Sequence, residues 1–543
     1  MSIHQAFRRQ PVPQQFAQKH TAISIPSPTR GLTLSDNAAF MKPGGALVLD
    51  NWVPTLRGVK LRGGCIRWCV LPENTPIISG MEFTSGVAHR MFAANATKLY
   101  DVTNGGTPVL VKDGQTSGNY ASAQLANASG DNLIVVNDGG DPVLRFNGLT
   151  WETLDAGQIY ADPVKYPDAA VADGGLLVHV CKYRSRLFFI EQNSMNAWYL
   201  PLNAIEGELN QIPLSGAATR GGKLLFAATW GIDAGDGLDD KLVFCTDLGE
   251  LLIFTGGDPG NAANWRQEGR YQTDPPLGMN AHATLGGDLL IATLDGLVPV
   301  SATITKEAEQ LDLVKVTYQI RSMWRAEAID KREWAWSMKR WDEYGGLFVT
   351  WPGGKPGQER CAVVNTATNA WCRFTGWDAT CFMRMRNDLF FGTQNGIVMQ
   401  ADRTGYDDGK PYVCTYVGHW GTLQSQPSTV VWHQARASFS AAQGGFQPQL
   451  SSCTDFSIAL PPPPPVGPDP GITDVWDQAL WDQGKWDTGV NAQPIVRNSG
   501  WVSIGITGFT HAVVVQTTVA QQARPQIEMI AVDATFERLG VNV

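Results

Sequence analysis

Short apolar runs alternate with polar turns along most of the 543-residue chain. Seven times an apolar run, a turn and a second apolar run follow one another, and Asp295-Gly296 and Asn395-Gly396 are typical two-residue hairpin turns. Hairpins repeated about every 40 to 60 residues are typical of β-propeller blades. We therefore predict a mainly β fold with a propeller of six to eight blades. The seven predicted hairpins cover residues 90–103, 132–148, 186–200, 241–256, 288–301, 346–374 and 388–402.

The same pattern predicts three regions in the chain. Residues 1–75 are punctuated by Pro and Gly and are predicted to form an extended N-terminal arm and platform segment, and residues 76–410 the propeller. Residues 411–543 are predicted to form a smaller β-rich platform domain together with the N-terminal segment. Its predicted strands lie within 411–423, 429–441 and 501–507, with a final strand pair in 525–540. Residues 305–344 alone look helical, except for a predicted strand at 313–320.

A segment at 461–489 has a different pattern, with five prolines followed by three Trp-Asp pairs five residues apart. An interval of five fits neither a helix nor a strand, and propeller signatures would recur about every 40 residues. We interpret the segment as a structural strap whose indoles fill grooves between elements or subunits. Exposed indoles that bind sugar are the alternative. The pairs are Trp476-Asp477, Trp481-Asp482 and Trp486-Asp487.

Composition narrows the classes of function. Charged residues make up 17% of the chain, below the roughly 25% of an average soluble domain, and the chain has 19 tryptophans. This composition suits many short strands whose surfaces are covered by partner subunits. The formal charge of −9 argues against a general nucleic-acid binder. It does not prevent DNA from passing through an enclosing channel.

Targeting and redox signals are sparse. No apolar run of signal-peptide length follows Arg8 and Arg9, and no run approaches 18 apolar residues, so neither secretion nor a membrane span is expected. The nine cysteines are odd in number and scattered, which fits reduced thiols in a protein made in a cytoplasm. Cys65 and Cys69 lack a second ligand pair, so zinc is not expected there.

A search for chemistry finds no phosphate loop, no GxSxG elbow and no HExxH pair. His179 lies in an apolar run and is interpreted as a core histidine. Acidic clusters at 233–240 and at Asp402, Asp407 and Asp408 depart from calcium-loop spacing, so solvated loops are preferred to calcium sites. We therefore predict no catalytic residues, no cofactor and no metal.

Four stretches together resemble the tail nozzle family, the tail tubular protein B-like proteins of short-tailed bacteriophages. The first, at 46–64, carries Asn51, Trp52, Pro54, Arg62 and Gly63. The resemblance implies a propeller attached to a β-rich platform and six copies in a ring. It implies no catalytic residues. The other three stretches are 253–301, 363–409 and the Trp-Asp segment with 501–509.

What the resemblance implies about function is structural. It implies a virion tail protein made in the bacterial cytoplasm, a homohexamer below the portal and adaptor whose channel passes double-stranded DNA during genome ejection. Expected partners are other copies of the chain, the head-to-tail adaptor, tail fibre or spike proteins, and the host envelope. The alternatives are a receptor- or polysaccharide-binding tail propeller, which would need two carboxylates about 5–10 Å apart beside exposed aromatics, and a monomeric scaffold propeller.

Overall fold

The computed structural model describes residues 21–171, 175–231, 240–305, 315–355, 358–421, 429–441, 446–467 and 495–539. The first five strands contribute to the platform or complete the propeller. They are short because Pro and Gly interrupt the apolar runs at intervals of a few residues. They are β1 (Thr21–Pro26), β2 (Ala46–Asp50), β3 (Trp52–Pro54), β4 (Val59–Leu61) and β5 (Ile66–Val70), with a 3-10 turn at Ala38–Phe40 between β1 and β2.

Six separate sheets form the blades of a β-propeller, and the first three follow one another along the chain. Blade one is β6 (Ser79–Ser85), β7 (Ala88–Ala94), β8 (Leu99–Asp101) and β9 (Val109–Lys112). Blade two is β10 (Tyr120–Asn127), β11 (Gly130–Asn137), β12 (Leu144–Phe146) and β13 (Trp151–Thr153). Blade three is β14 (Ile159–Ala161), β15 (Leu177–Tyr183), β16 (Arg186–Glu191), β17 (Asn196–Tyr199) and β18 (Gly207–Pro213).

Blades four and five continue this order, and a helical segment follows them. Blade four is β19 (Leu224–Trp230), β20 (Lys241–Thr246), β21 (Glu250–Gly256) and β22 (Trp265–Gln272). Blade five is β23 (His282–Leu285), β24 (Asp288–Thr293) and β25 (Gly296–Pro299). The helical segment has α1 (Val300–Thr305), a 3-10 turn (Tyr318–Ile320) and α2 (Arg321–Asp330).

A four-stranded meander lies between blades five and six and belongs to a larger sheet. Its first strand contacts the first strands of both neighbouring blades, so the meander occupies a blade position in the ring. It consists of β26 (Met338–Trp341), β27 (Gly346–Thr350), β28 (Arg360–Asn365) and β29 (Ala370–Thr375). Blade six consists of β30 (Cys381–Met385), β31 (Asp388–Gly392), β32 (Ile397–Gln400) and the N-terminal strand β5.

The ring is closed by strands from distant parts of the chain. Strand β5 pairs antiparallel with β32, so that Val70 lies opposite Ile397 and Ile66 opposite Gln400. Blade six therefore takes its outer strand from residues that precede blade one. The predicted start of the propeller is residue 76, whereas strand β5 of the blade-six sheet precedes that residue.

The remaining strands form the platform and make two sheets with the N-terminal strands. They are β33 (Tyr412–Gly418), β34 (Val430–Ala441), β35 (Gln449–Thr454), β36 (Ile495–Asn498), β37 (Val502–Gly508), β38 (His511–Val519) and β39 (Ile527–Arg538). Strands β34 and β39 are the long centre of a seven-stranded sheet that also contains β1, β3, β4, β36 and β37. The other sheet runs β26-β27-β28-β29-β2-β33-β38-β35 and so joins the propeller meander to the platform.

One hydrophobic core continues from the propeller into the platform. Phe348 of the meander, Trp324 of α2 and Trp432 of β34 are all buried members of that core. The prediction of a mainly β propeller with a β-rich platform made of N- and C-terminal segments is confirmed, as are strands at each of the seven predicted hairpins. No helix in the described part of the chain is long and apolar enough to cross a membrane.

Three local predictions are wrong. Residues 338–341, predicted as part of a helical region, form strand β26. Residues 318–320, predicted as the end of a strand, form a 3-10 turn that leads into α2. The predicted strand pair near the C-terminus is a single twelve-residue strand, β39. It stays continuous because it lies at the centre of its sheet and pairs with β34 along its whole length, with β1 and β4 on its other side.

Candidate functional site

The N-terminal residues singled out by sequence come together at the junction between propeller and platform. Asn51 adopts a positive φ of 63°, which asparagine tolerates better than most residues. Its side-chain amide donates to Thr375 Oγ1 at 2.7 Å and to the Val413 carbonyl at 2.6 Å. The side-chain oxygen accepts from the Thr375 backbone N–H at 2.9 Å and from Arg62 Nε at 2.7 Å. Asn51 thus ties three chain segments together.

Arg62 is fully buried at the same junction. Its guanidinium donates to both carboxylate oxygens of Asp407, at 2.9 and 2.5 Å, and to the Thr375 carbonyl at 2.8 Å. The ring of Tyr412 lies 4.0 Å from the guanidinium carbon. Burial alone would lower the pKa of Arg62, but the Asp407 carboxylate raises it well above its ordinary value, so this cation stays charged.

The other three residues of the segment are also buried or closely packed. Trp52 is fully buried, and the carbonyl of buried Pro54 accepts from Asn365 Nδ2 at 2.8 Å. The Gly63 N–H donates to Asp402 Oδ1 at 2.8 Å, and a Cβ on Gly63 would lie 2.2 Å from that oxygen. The segment therefore holds the junction together and offers little surface to a partner.

The acidic stretch at 402–408 is also part of this junction. Asp407 binds Arg62, Asp402 pairs with Arg524 at 2.6 Å, and Asp408 pairs with Arg67 at 2.7 Å. These carboxylates are neutralised by arginines from other segments. Among the described residues no group of three or more His, Cys, Asp and Glu side chains is placed to hold a metal ion. Asp233, Asp236 and Asp239 lie outside the described residues, so calcium binding there stays untested.

The nine cysteines are free thiols, as the sequence predicted. Eight are buried, and Cys181 is half-buried. Burial raises the pKa of Cys69 to about 12, and the same cause raises that of Cys361 to about 12. Such thiols are protonated at neutral pH and therefore poor nucleophiles.

The six Trp-Asp residues, Trp476, Asp477, Trp481, Asp482, Trp486 and Asp487, lie outside the described residues. The described chain on each side of them carries exposed apolar side chains, which we call the strap flanks (456–466 and 495–509). Phe456 is 50% exposed, Val496 68% and Phe509 55%. Exposed apolar side chains of this size in neighbouring segments are typical of surfaces that contact a partner. The other exposed apolar residues of the flanks are Ile458, Leu460, Val466, Ile495 and Trp501.

The strap flanks include an edge strand. All four residues of β36 are exposed, and it pairs with β34 on one side only among the described strands. An exposed apolar edge presents unpaired N–H and C=O groups to a further strand or chain. Nearby, Pro464 is held against the sheet by Thr518, whose hydroxyl donates to the Pro464 carbonyl at 2.5 Å.

The propeller surrounds a channel with a cavity at each mouth. Residues from β6, β10, β15, β19, β23, β26 and β30 line one cavity of about 690 Å³. There the carboxylate of Glu82 pairs with Lys339, and that of Asp342 pairs with Arg384 at 3.0 Å. The other mouth, of about 740 Å³, is lined by Trp334, which is 41% exposed, and by a mixture of apolar and polar residues.

Two histidines lie within the wall of this channel. The rings of His179 and His282 are 6.1 Å apart, and His282 stacks on Phe226 at 4.4 Å. Burial lowers the pKa of His179 to about 3 and that of His282 to about 4. Both imidazoles are therefore neutral at pH 7. His179 is a buried strand residue, as its apolar run predicted.

Comparison with known proteins adds only structural likeness. No family model matches the chain, and no curated protein matches it. Among solved structures, BBS1N in complex with ARL6DN is 12% identical, with 63% of this chain and 97% of that chain covered and a TM-score of 0.37.

Two further structures show a similar degree of likeness. The computationally designed Ika8 protein is 11% identical, covering 62% of this chain and 99% of that one, with a TM-score of 0.35. Raptor from Chaetomium thermophilum is 8% identical, covering 62% of this chain and 29% of that one, with a TM-score of 0.37. Similarity at this level carries no argument about function.

The sequence did not single out a groove at the end of the platform, where Trp432, His419 and His511 lie together. The only available signal was the pairing of a histidine with a tryptophan at His419-Trp420 and again at Trp432-His433. Nothing in the spacing indicates that His511, on a different strand, would join them.

Proposed function

We propose that the protein is a structural subunit of a homohexameric tail nozzle in a short-tailed bacteriophage. In this role six copies form a ring below the portal and adaptor, and the genome leaves through the ring. The partners are other copies of the chain, the head-to-tail adaptor, tail fibre or spike proteins, the passing double-stranded DNA and the host envelope. The protein has its place in the virion tail and is not an enzyme.

The observation that carries the proposal is the pair of strap flanks. Val496, Phe456 and Phe509 expose large apolar side chains, and β36 leaves one edge unpaired among the described strands. A monomer would gain nothing from this arrangement, whereas a ring buries it between subunits. The low charged fraction of 17% fits a subunit with much covered surface.

The negative charge of the chain is compatible with a DNA conduit. A formal charge of −9 per subunit disfavours tight binding of the phosphate backbone to the protein as a whole. A basic wall would bind DNA through counterion release and slow its passage. The negative net charge therefore fits passage of DNA better than storage of DNA or recognition of a DNA sequence.

A mass measurement and particle images of the purified full-length chain test the proposal. We expect ring particles of six copies, alone or on addition of the tail adaptor. Replacing both Ile495 and Val496 by Lys should leave monomers, because two charges cannot be buried between subunits. Val87→Lys is the matched control, since Val87 is 94% exposed on a blade hairpin. A chain that is strictly monomeric inside intact virions would contradict the proposal.

A second candidate function is polysaccharide binding at the propeller mouth. It rests on half-exposed Trp334, which lines the 740 Å³ cavity together with the carboxylates of Asp138 and Asp247. Those carboxylates already accept hydrogen bonds, from Asn119 Nδ2 at 2.8 Å and the Lys223 backbone N–H at 2.9 Å. Binding of host surface polysaccharide that is lost in Trp334→Ala would favour this function. If the wild type and Trp334→Ala bind the polysaccharide equally well, the propeller mouth is not the binding site.

A further inference from the structure

The 690 Å³ cavity at one mouth of the propeller channel, which we call the axial cavity, carries more positive than negative charge. Its volume lies within the roughly 300–1,000 Å³ of typical small-molecule sites. Among the described residues that line it, Asp342 alone carries a carboxylate. The cations that line it are Lys182, Lys339, Arg340 and Arg384. The sign of this cavity is therefore opposite to the formal charge of −9 of the whole chain.

The cations lie on two sides of the channel. Each blade contacts the next around a closed ring, so the six blades and the meander occupy seven positions. Lys339 and Arg340 come from the meander and Arg384 from blade six, whereas Lys182 comes from blade three. Blade three is three positions away from the meander and therefore lies across the channel. A ligand with more than one anionic group would match both sides.

One carboxylate holds two guanidinium groups side by side. Asp342 Oδ1 pairs with Arg340 Nε at 2.5 Å, and its Oδ2 accepts from Arg384 Nη1 at 3.0 Å. Both Nη groups of Arg340 and Nη2 of Arg384 have no acceptor among the described residues. The two arginine side chains are 47% and 38% exposed, so a ligand can reach these donors. Guanidinium groups bind phosphate and carboxylate oxygens through parallel N–H donors.

The carboxylates on this side of the channel leave a positive excess. Glu82 pairs with Lys339 and lies 3.9 Å from Arg384 Nε. Glu82 and Asp342 thus supply two negative charges against the three positive charges of Lys339, Arg340 and Arg384. Burial lowers the pKa of Lys339 to about 8, and the neighbouring charge of Arg384 lowers it further. An additional anion would relieve this repulsion.

Uncharged donors on other blades favour phosphate over carboxylate. The exposed hydroxyl residues Ser122 on β10 and Thr284 on β23 also line the axial cavity. A phosphate group presents several acceptor oxygens in different directions, whereas a carboxylate presents two in one plane. We propose that the axial cavity binds a small anion that carries a diphosphate group, with Arg340 and Arg384 as its main ligands. All of these groups belong to one chain, so the inference does not depend on tail assembly.

Isothermal titration calorimetry of the full-length chain with inorganic pyrophosphate tests the proposal. We expect one site per chain with a Kd below about 1 mM at low salt. Arg384→Gln should weaken binding by about tenfold or more, because hydrogen bonds to a charged group are lost. Arg403→Gln is the matched control, since Arg403 is 42% exposed and pairs with Asp388 outside the cavity. Absence of saturable binding, or the same affinity in both variants, would overturn the proposal.

A second pair of variants leaves the cationic residues unchanged. Ser122→Glu adds a carboxylate to the cavity wall on blade two and should weaken pyrophosphate binding by about tenfold through charge repulsion. Ser122→Gln adds a side chain of the same size without the charge and should retain most of the affinity. Equal affinities in the two Ser122 variants would show that pyrophosphate binds elsewhere and would overturn the proposal.

Adenosine diphosphate distinguishes two sources of the diphosphate group. Tighter binding of adenosine diphosphate than of pyrophosphate would identify a nucleotide as the ligand, and weaker binding would identify the free anion. Both results agree with the proposal, because the two compounds share the diphosphate group. If neither compound binds, the proposal is wrong, whereas the particle measurements that test tail assembly are unaffected.

Discussion

Arg62 and Asp407 are 345 positions apart in the chain, yet their side chains form a two-point ion pair in the buried junction between propeller and platform. The pair links the segment after β4 to the segment before β33. Tyr412 completes the contact, since its hydroxyl donates to the Arg62 carbonyl at 2.5 Å while its ring faces the guanidinium. A buried cation whose N–H groups all find acceptors therefore contributes to the junction of the two parts of the molecule.

Arg62→Met should lower the free energy of unfolding by about 3–5 kcal/mol. The substitution leaves the Asp407 carboxylate buried without its cation, which is the costly way to break such a pair. Urea unfolding of the purified chain followed by tryptophan fluorescence measures the change.

Arg67→Met is the matched control, because Arg67 and Asp408 form an ion pair one strand away but half-exposed. Arg67→Met should lower the free energy of unfolding by less than about 1 kcal/mol. The double variant of Arg62→Met with Asp407→Asn should recover part of the lost stability. An equal loss in the Arg62 and Arg67 variants would contradict a special role for the buried pair.

Gly63→Ala should destabilise the junction by about 1–3 kcal/mol, because a Cβ there would lie 2.2 Å from Asp402 Oδ1 and force a shift. Gly216→Ala is the control, since a Cβ at that position meets no atom within 4 Å. Thermal unfolding of the two variants under identical conditions gives the comparison. A neutral Gly63→Ala would show that Asp402 moves freely.

Trp481→Ala should weaken assembly or platform stability by about 3 kcal/mol or more if its indole is buried as the strap interpretation predicts. Trp501→Ala is a useful comparison, because Trp501 is exposed in the single chain. Sedimentation and unfolding measurements separate assembly from stability. If Trp481→Ala changes the free energies of assembly and of unfolding by less than about 0.5 kcal/mol each, Trp481 is a surface residue. Exposed indoles that bind sugar would then be the better interpretation of the segment.

Acid should destabilise the propeller through His179 and His282. Their folded pKa values of about 3 and 4 lie below the ordinary 6.5, so between pH 6.5 and 4 the unfolded chain binds more protons than the folded one. The stabilisation is present above pH 6.5 and is lost as the pH falls, by about 1.4 kcal/mol per pH unit for each linked proton.

His282→Leu should flatten this pH dependence, because the leucine keeps the packing against Phe226 and removes one linked proton. Unfolding free energies measured at several values between pH 4 and pH 7 give the slope. His89→Leu, at a half-exposed position on blade one, should keep the wild-type slope. Identical slopes in all three proteins would contradict the linkage.

Much of the fold was predictable because it depends on local pattern. Alternating apolar residues and turn signals such as Asn395-Gly396 specify hairpins without reference to the rest of the chain. Which distant strands pair with these hairpins was less predictable. Nothing in the sequence of Ile66–Val70 indicates that this strand completes blade six, since a single exposed edge accepts any strand of suitable length.

The junction was visible in sequence only as a set of residue types. The resemblance named Asn51, Trp52, Pro54, Arg62 and Gly63, and the structure brings them together with Asp402 and Asp407. The spacing of the aspartates raised the question of calcium, whereas their actual partners are arginines that the fold delivers from distant segments. Charge pairing across such sequence separations depends on topology, which local periodicity does not contain.

The closure of blade six has a consequence for biosynthesis. Strand β5 leaves the ribosome before any blade, while β32, its partner, follows only after the other blades have been made. At about 5–20 residues per second, β5 waits on the order of tens of seconds for its partner. During that time an apolar strand with two open edges is available to neighbouring nascent chains. Blade six therefore cannot close until residue 400 has emerged.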